Sequence, residues 1–153
     1  MTSPEPYRRQ FDDGCEIDTD PARLDIERAY SYIAGESYWA RGIPRALFEQ
    51  ALANSLCFGV YRAGEMVGFA RVVSDFATMA YLADVFVIES QRGQGLSKRL
   101  MEAISAHPAL QGLRRWLLAT ADAHGLYAQY GFTALSRPER MMERFNPDIY
   151  RPS

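Results

Sequence analysis

The stretch best suited to chemistry is Glu89-Ser90-Gln91-Arg92-Gly93-Gln94-Gly95-Leu96-Ser97. It is a polar loop between an apolar run ending at Ile88 and a segment with Leu96, Leu100, Ala103 and Ile104 at helical spacing. A strand that enters a glycine-bearing turn and then a helix makes an anion site. The N–H groups of the turn and first helical turn point outward, and the helix dipole adds partial positive charge. Gly93 and Gly95 put no Cβ between the backbone and a phosphate. Arg92, Lys98 and Arg99 supply positive charge close by, and Lys98 is the only lysine in the chain. The spacing excludes two nucleotide motifs. A P-loop needs G-x-x-x-x-G-K-S/T, and a dinucleotide fingerprint needs a glycine where Lys98 stands.

The flanking segments must position this loop. Residues 1–14 are polar, carry Pro4, Pro6 and Gly14, and read as a loose arm. A short strand is expected over 15–18. Asp20 and Pro21 form a helix start, followed by Ile26, Ala29, Tyr30 and Ile33 on one face and a stop at Gly35. The aromatic loop 36–42 leads to a second helix opened by Pro44. Residues 56–62 and 66–74 read as a hairpin about Ala63-Gly64. The run 78–88 is so nearly apolar throughout that both its faces should be covered. Beyond the loop, a helix over 96–107, a strand over 114–120 and a short helix over 122–130 are expected. Strands at 132–135 and 141–145 complete the pattern. The reading is one mixed α/β domain over 15–153.

Composition narrows the function. At 153 residues and 48% apolar, such a chain buries ~70% of its unfolded surface. It needs neither a metal nor a disulfide framework, and no metal-ligand cluster is read. Lys+Arg 17 against Asp+Glu 19 leaves no basic face for nucleic acid. No apolar run could span a membrane, and MTSPEPYRRQ lacks an export signal. A cytoplasmic protein is expected, with Cys15 and Cys57 unpaired and Cys57 a small buried residue of its strand.

Arg92-x-x-Gly95-x-Ser97 resembles motif A of the GNAT N-acetyltransferase superfamily, with serine in place of the usual final glycine or alanine. Leu126-Tyr127-x-x-x-Gly131-Phe132 resembles its motif B, in the right order and at the right distance. Together the resemblance covers residues 16–145. It implies a mostly antiparallel sheet that splays between two parallel strands, 78–88 and 114–120, flanked by about four helices. It also implies acetyl-CoA as acyl donor, bound in the splay. The backbone of Val85, Phe86 and Val87 would pair with the pantetheine arm. The N–H groups of Arg92, Gly93, Gln94, Gly95, Leu96 and Ser97 would hold the pyrophosphate. Many members carry an asparagine where this chain has Thr120, so Thr120 or Asp122 is expected to take over its cofactor contact.

The implied reaction moves the acetyl group to a primary amine of a small molecule or protein. An N–H near Val85 would stabilise the oxyanion, and Tyr127 would protonate the leaving thiolate. Asp84, a carboxylate in an apolar run, must be partnered or functional. It is either the general base or amine anchor, or the structural partner of an arginine such as Arg71. Asp75, His124 and ordered water are the other routes for the amine proton. Tyr38 and Trp39 lie where family members build one wall of the acceptor site, and they either contact substrate or pack on the sheet. The alternative is a non-catalytic acyl-CoA sensor on the same scaffold, and a third reading is an unrelated α/β domain with another phosphate ligand. A homodimer is compatible with the resemblance.

Overall fold

A computed structural model describes residues 4–151. Six strands form one sheet in the order in which they occur in the chain: β1 (Arg8–Gln10), β2 (Glu16–Asp18), β3 (Leu56–Arg62), β4 (Glu65–Ser74), β5 (Met79–Val87) and β6 (Arg115–Leu118). All neighbours are antiparallel except β5 and β6. Helices α1 (Ile26–Gly35) and α2 (Arg45–Ala53) pack on one face through Ile33, Phe48, Leu52, Tyr61, Phe69 and Phe86. Helix α3 (Leu96–Ala106) packs on the other through Leu100 and Ile104 against Phe58, Val60, Val72 and Leu82. A fourth short helix, α4 (His124–Ala128), adds Tyr127 to that second core. No helix is long and apolar enough to cross a membrane among the described residues.

Several sequence expectations are corrected. The first three residues of the arm lie outside the described residues. The rest of it is not loose, because β1 pairs with β2 from Arg8 opposite Asp18 to Gln10 opposite Glu16. Asp20 caps only a single 3-10 turn, and α1 begins later, where the Asp25 carboxylate accepts from the Arg28 N–H. β5 is not covered on both faces along its length. Met79 and Tyr81 are exposed while Ala80 and Leu82 are buried, the alternation of a half-covered strand. The strands expected at 132–135 and 141–145 do not form. Met142 is 95% exposed and Phe145 71%, so the apolar pattern there has no face to bury. The outer edge of β6 pairs with no strand among the described residues.

One core group links the fold to pH. His107 ends α3 and is 1% exposed, against the rings of Tyr7 and Phe58. Its Nδ1 accepts from the Ala109 N–H at 3.0 Å, which leaves the proton on Nε2. Nε2 has no partner among the described residues, and burial lowers the pKa of the ring. The folded chain therefore holds His107 neutral, while the unfolded chain binds a proton below about 6.5. Stability is complete above that pH and declines as the pH falls through it. The urea midpoint should drop between pH 7.5 and 5.5, and His107→Asn, which keeps an acceptor for Ala109, should remove that part of the drop.

Candidate active site

The site starts from an irregularity in β5. Phe69 pairs with Phe86, but Arg71 pairs with Ala83, so two β5 residues, Asp84 and Val85, stand opposite Ala70 of β4. This is a β-bulge. Asp84 takes the left-handed conformation, φ 56°, which aspartate tolerates better than most residues. Its side chain is fixed twice. Arg71 Nε donates to Oδ2 at 2.7 Å, and Trp39 Nε1 donates to Oδ1 at 2.8 Å. Arg71 also donates to Ser55 Oγ at 3.2 Å. Of the two readings of Asp84, the geometry displays the Arg71 partnership, with both carboxylate oxygens engaged.

The bulge falls where β5 and β6 part. Their parallel pairing runs from Met79–Arg115 to Leu82–Leu118 and stops. Past Leu82, that side of β5 is open. Ile88 N–H donates to Val67 O on β4 at 2.9 Å. By antiparallel alternation, the backbone groups of Val85 and Val87 point away from β4, into the opening. The Val87 carbonyl accepts from Arg92 Nε at 2.9 Å, and Arg92 Nη2 reaches Tyr32 Oη at 3.0 Å. Tyr32 in turn stacks on Phe86, centroids 4.0 Å apart.

The glycine loop joins this edge to α3. Gly93 and Gly95 have φ of 79° and 77°, and a Cβ on either would meet nothing within 4 Å. The left-handed backbone calls for glycine there, and the space above both is open. Among the described residues, the N–H groups of Gly93, Gln94, Gly95, Leu96 and Ser97 donate to no backbone carbonyl, and α3 has no side-chain cap. The Arg92 N–H is the exception to the expected set, because it donates to Glu89 O at 3.2 Å. Two of the three nearby cations are engaged within the protein, and the third is not. Arg92 is turned to Val87, and Arg99 binds both oxygens of Asp13 at 2.9 Å. Lys98 is exposed and in no ion pair among the described residues.

On the far arm, Thr120 Oγ1 accepts from the Ala123 N–H at 3.0 Å, in the turn before α4. Tyr127 follows, 8% exposed. Burial first, then the neighbouring Tyr38 and Asp122, push its pKa up, so the hydroxyl keeps its proton. That hydroxyl has no hydrogen-bond partner among the described residues. The loop 36–42 bridges the two arms. Tyr38 Oη accepts from the Ala121 N–H at 3.0 Å, and Trp39 reaches Asp84. The rings of Tyr38 and Trp39 meet edge to face at 5.0 Å. The other base candidates make no hydrogen bond to this cluster among the described residues. Asp75 folds its carboxylate onto the N–H groups of Ala77, Thr78 and Met79 and onto the Thr78 hydroxyl, which hold it far below the usual carboxylate range. His124 is exposed at the start of α4. A hollow of about 690 Å³, lined by Trp116, Tyr130, Phe132 and Arg137, contains none of these groups.

Sequence reasoning missed Asp13, Tyr32 and Arg62 as neighbours of the loop. Their contacts with it span tens of residues of chain, so no local pattern marks them.

The fold and the splayed strands carry a family assignment. The Acetyltransferase (GNAT) family model matches residues 24–132, and the chain belongs to that family. A Gibberella zeae protein named as an acetyltransferase, FG08082, is 29% identical, with 74% of this chain and 75% of that protein covered. The crystal structure of xcc2953 from Xanthomonas campestris pv. campestris, named as a GNAT-family acetyltransferase, is 51% identical. It superposes with a TM-score of 0.88 over 90% of this chain and 97% of that one. A GNAT acetyltransferase of Elizabethkingia anophelis with acetyl-CoA bound shares the fold at TM-score 0.60 and 19% identity, over 79% and 77% of the two chains.

The Asp84 arrangement has a measurable energy. Asp84→Asn keeps an acceptor for Trp39 and a residue tolerant of positive φ, but leaves a largely buried guanidinium without its counter-charge. Urea denaturation should show a loss of about 2–3 kcal/mol.

Proposed function

We propose that this chain transfers the acetyl group of acetyl-CoA to a primary amine of a small molecule or protein, in the cytoplasm. One observation carries the reading: the free edge of β5 at Val85 continues into five unpaired N–H groups, Gly93 to Ser97, at the start of an eleven-residue helix. An extended arm with a diphosphate at one end fits that sequence of groups. The edge suits strand-like pairing, and the helix start suits the charge. The oxygens of a pyrophosphate would be held by backbone dipoles, with Lys98 the nearby cation free to add its charge.

Bound acetyl-CoA supplies an activated thioester, and the residues of the chain do the rest. Val85 presents its N–H toward the opening, where it can stabilise developing negative charge on a carbonyl oxygen. Tyr127 holds a proton on a hydroxyl with no competing acceptor and passes it to the leaving sulfur. Asp84 shapes β5 and anchors Trp39, a positioning role. Asp75 is too weak a base once its turn has formed. The amine proton leaves to solvent at the mouth of the cleft, walled by Tyr38 and Trp39.

Thiol release measured across polyamines, aminoglycosides, amino acids and peptide N-termini tests the reading, with turnover on at least one amine expected. Acetyl-CoA binding without turnover on any of them would leave a sensor instead. Two variants refine the test. Gly95→Asp sets a carboxylate on the anion loop and should weaken acetyl-CoA binding more than about 100-fold by calorimetry. Tyr127→Phe should lower kcat about 100-fold with acetyl-CoA affinity within about twofold, and an unchanged kcat would remove Tyr127 as the acid.

A further inference from the structure

The glycines that open the anion loop also loosen it. Gly93 and Gly95 flank Gln94, and glycine loses more conformational freedom on ordering than any other residue. An unrestrained loop of this kind meets its ligand only after that entropy has been lost. The structure shows an external restraint. Arg62, the last residue of β3, donates through Nη1 to Gln91 Oε1 at 3.0 Å and also to Gln94 Oε1. Its Nη2 donates to Asp13 Oδ2 at 3.1 Å. Asp13, in the turn between β1 and β2, also takes Arg99 from the first turn of α3. Arg99 is fixed further by lying over the Phe11 ring, 4.6 Å from its centroid, and its N–H closes the helix onto Gly95 O.

We propose that Arg62 is a positioning residue for acyl-donor binding, and that Asp13 couples it to Arg99 so that loop and helix start are held as one unit. The inference rests on the acetyl-CoA reading for its ligand. Arg62 touches no bound group itself. It holds the side-chain carbonyls of Gln91 and Gln94 toward β3, which leaves the backbone N–H groups between Gly93 and Ser97 directed outward. Two carboxylate oxygens shared by two guanidinium groups form a charge-assisted network. Arg62 and Arg99 expose 23% and 27% of their side chains, so the network is only partly screened by solvent. The Asp13 carboxyl is lowered to about 2, first by the hydrogen bond from Arg99, so the clamp stays charged throughout the neutral range. A lysine at position 62 would offer a point charge without the planar fork that reaches three acceptors at once.

The test reads the restraint and the affinity separately. Amide hydrogen exchange on the ligand-free protein should accelerate about tenfold in Arg62→Ala at Gln91, Arg92 and Arg99, whose N–H groups bond Ile88 O, Glu89 O and Gly95 O around the loop, with α1 and β4 unchanged. In steady-state assays the same variant should raise KM for acetyl-CoA about tenfold, with kcat at saturation within twofold of wild type. Arg62→Lys should recover part of the KM change, and Asp13→Asn should move KM in the same direction as Arg62→Ala. Unaltered exchange at Gln91, Arg92 and Arg99 overturns the restraint itself. Accelerated exchange with unchanged KM overturns its role in binding. Wild-type protein that binds no acetyl-CoA removes the functional reading underneath, while the exchange result still decides whether the clamp exists.

Discussion

The site hangs on one carboxylate in an unusual backbone conformation. Asp84 holds φ at 56° in the middle of a strand, a posture that persists only when the surroundings over-determine it. Arg71 and Trp39 do so from opposite sides. The resulting bulge turns β5 at the point where its pairing with β6 ends, and the edge beyond pairs with no strand among the described residues. A strand edge is ordinarily a hazard that proteins cover. Here it lies between two cores and opens only toward the gap between the parallel strands.

The arrangement separates two electrostatic tasks. In the proposed reading, attraction of an anion falls to backbone N–H groups and to the dipole of α3, which are fixed in direction. The guanidinium groups near the loop have structural tasks: Arg92 ties β5 to α1 through Tyr32, and Arg62 and Arg99 tie the loop to β3 and the β1–β2 turn. On that reading, a chain with a net charge of −2 can hold a phosphate without a basic surface. Arg62 also joins two polar loops far apart in sequence, the turn at Asp13 and the loop with Gln91 and Gln94.

Much of this was legible because it is local. The glycine spacing, the apolar run before it and the helical period after it all lie within one strand–turn–helix unit, and α3 begins at Leu96 as that pattern requires. The hairpin about Ala63-Gly64 and the start of α2 after Pro44 are likewise matters of neighbouring residues. What was not legible depends on distant contacts. Nothing around Asp13 marks it as the partner of Arg62 and Arg99, and the loose-arm reading followed from that silence. The bulge at Asp84 is invisible to a pattern of alternation, because it is a mismatch in length between two strands. The expected strand over 141–145 failed for the converse reason: apolar residues were present, and no surface received them.

The solitary lysine has a meaning beyond its charge. Guanidinium groups remain protonated at any pH the protein meets and are not nucleophiles. A chain whose other side-chain cations are arginines therefore presents a single ε-amino group, that of Lys98 at the first turn of α3. On the proposed function, an activated thioester held beside such a surface would meet only one side-chain amine of the protein that it could acylate by mistake. That one amine stands in the first turn of α3, where losing its charge would fall on the phosphate site proposed there.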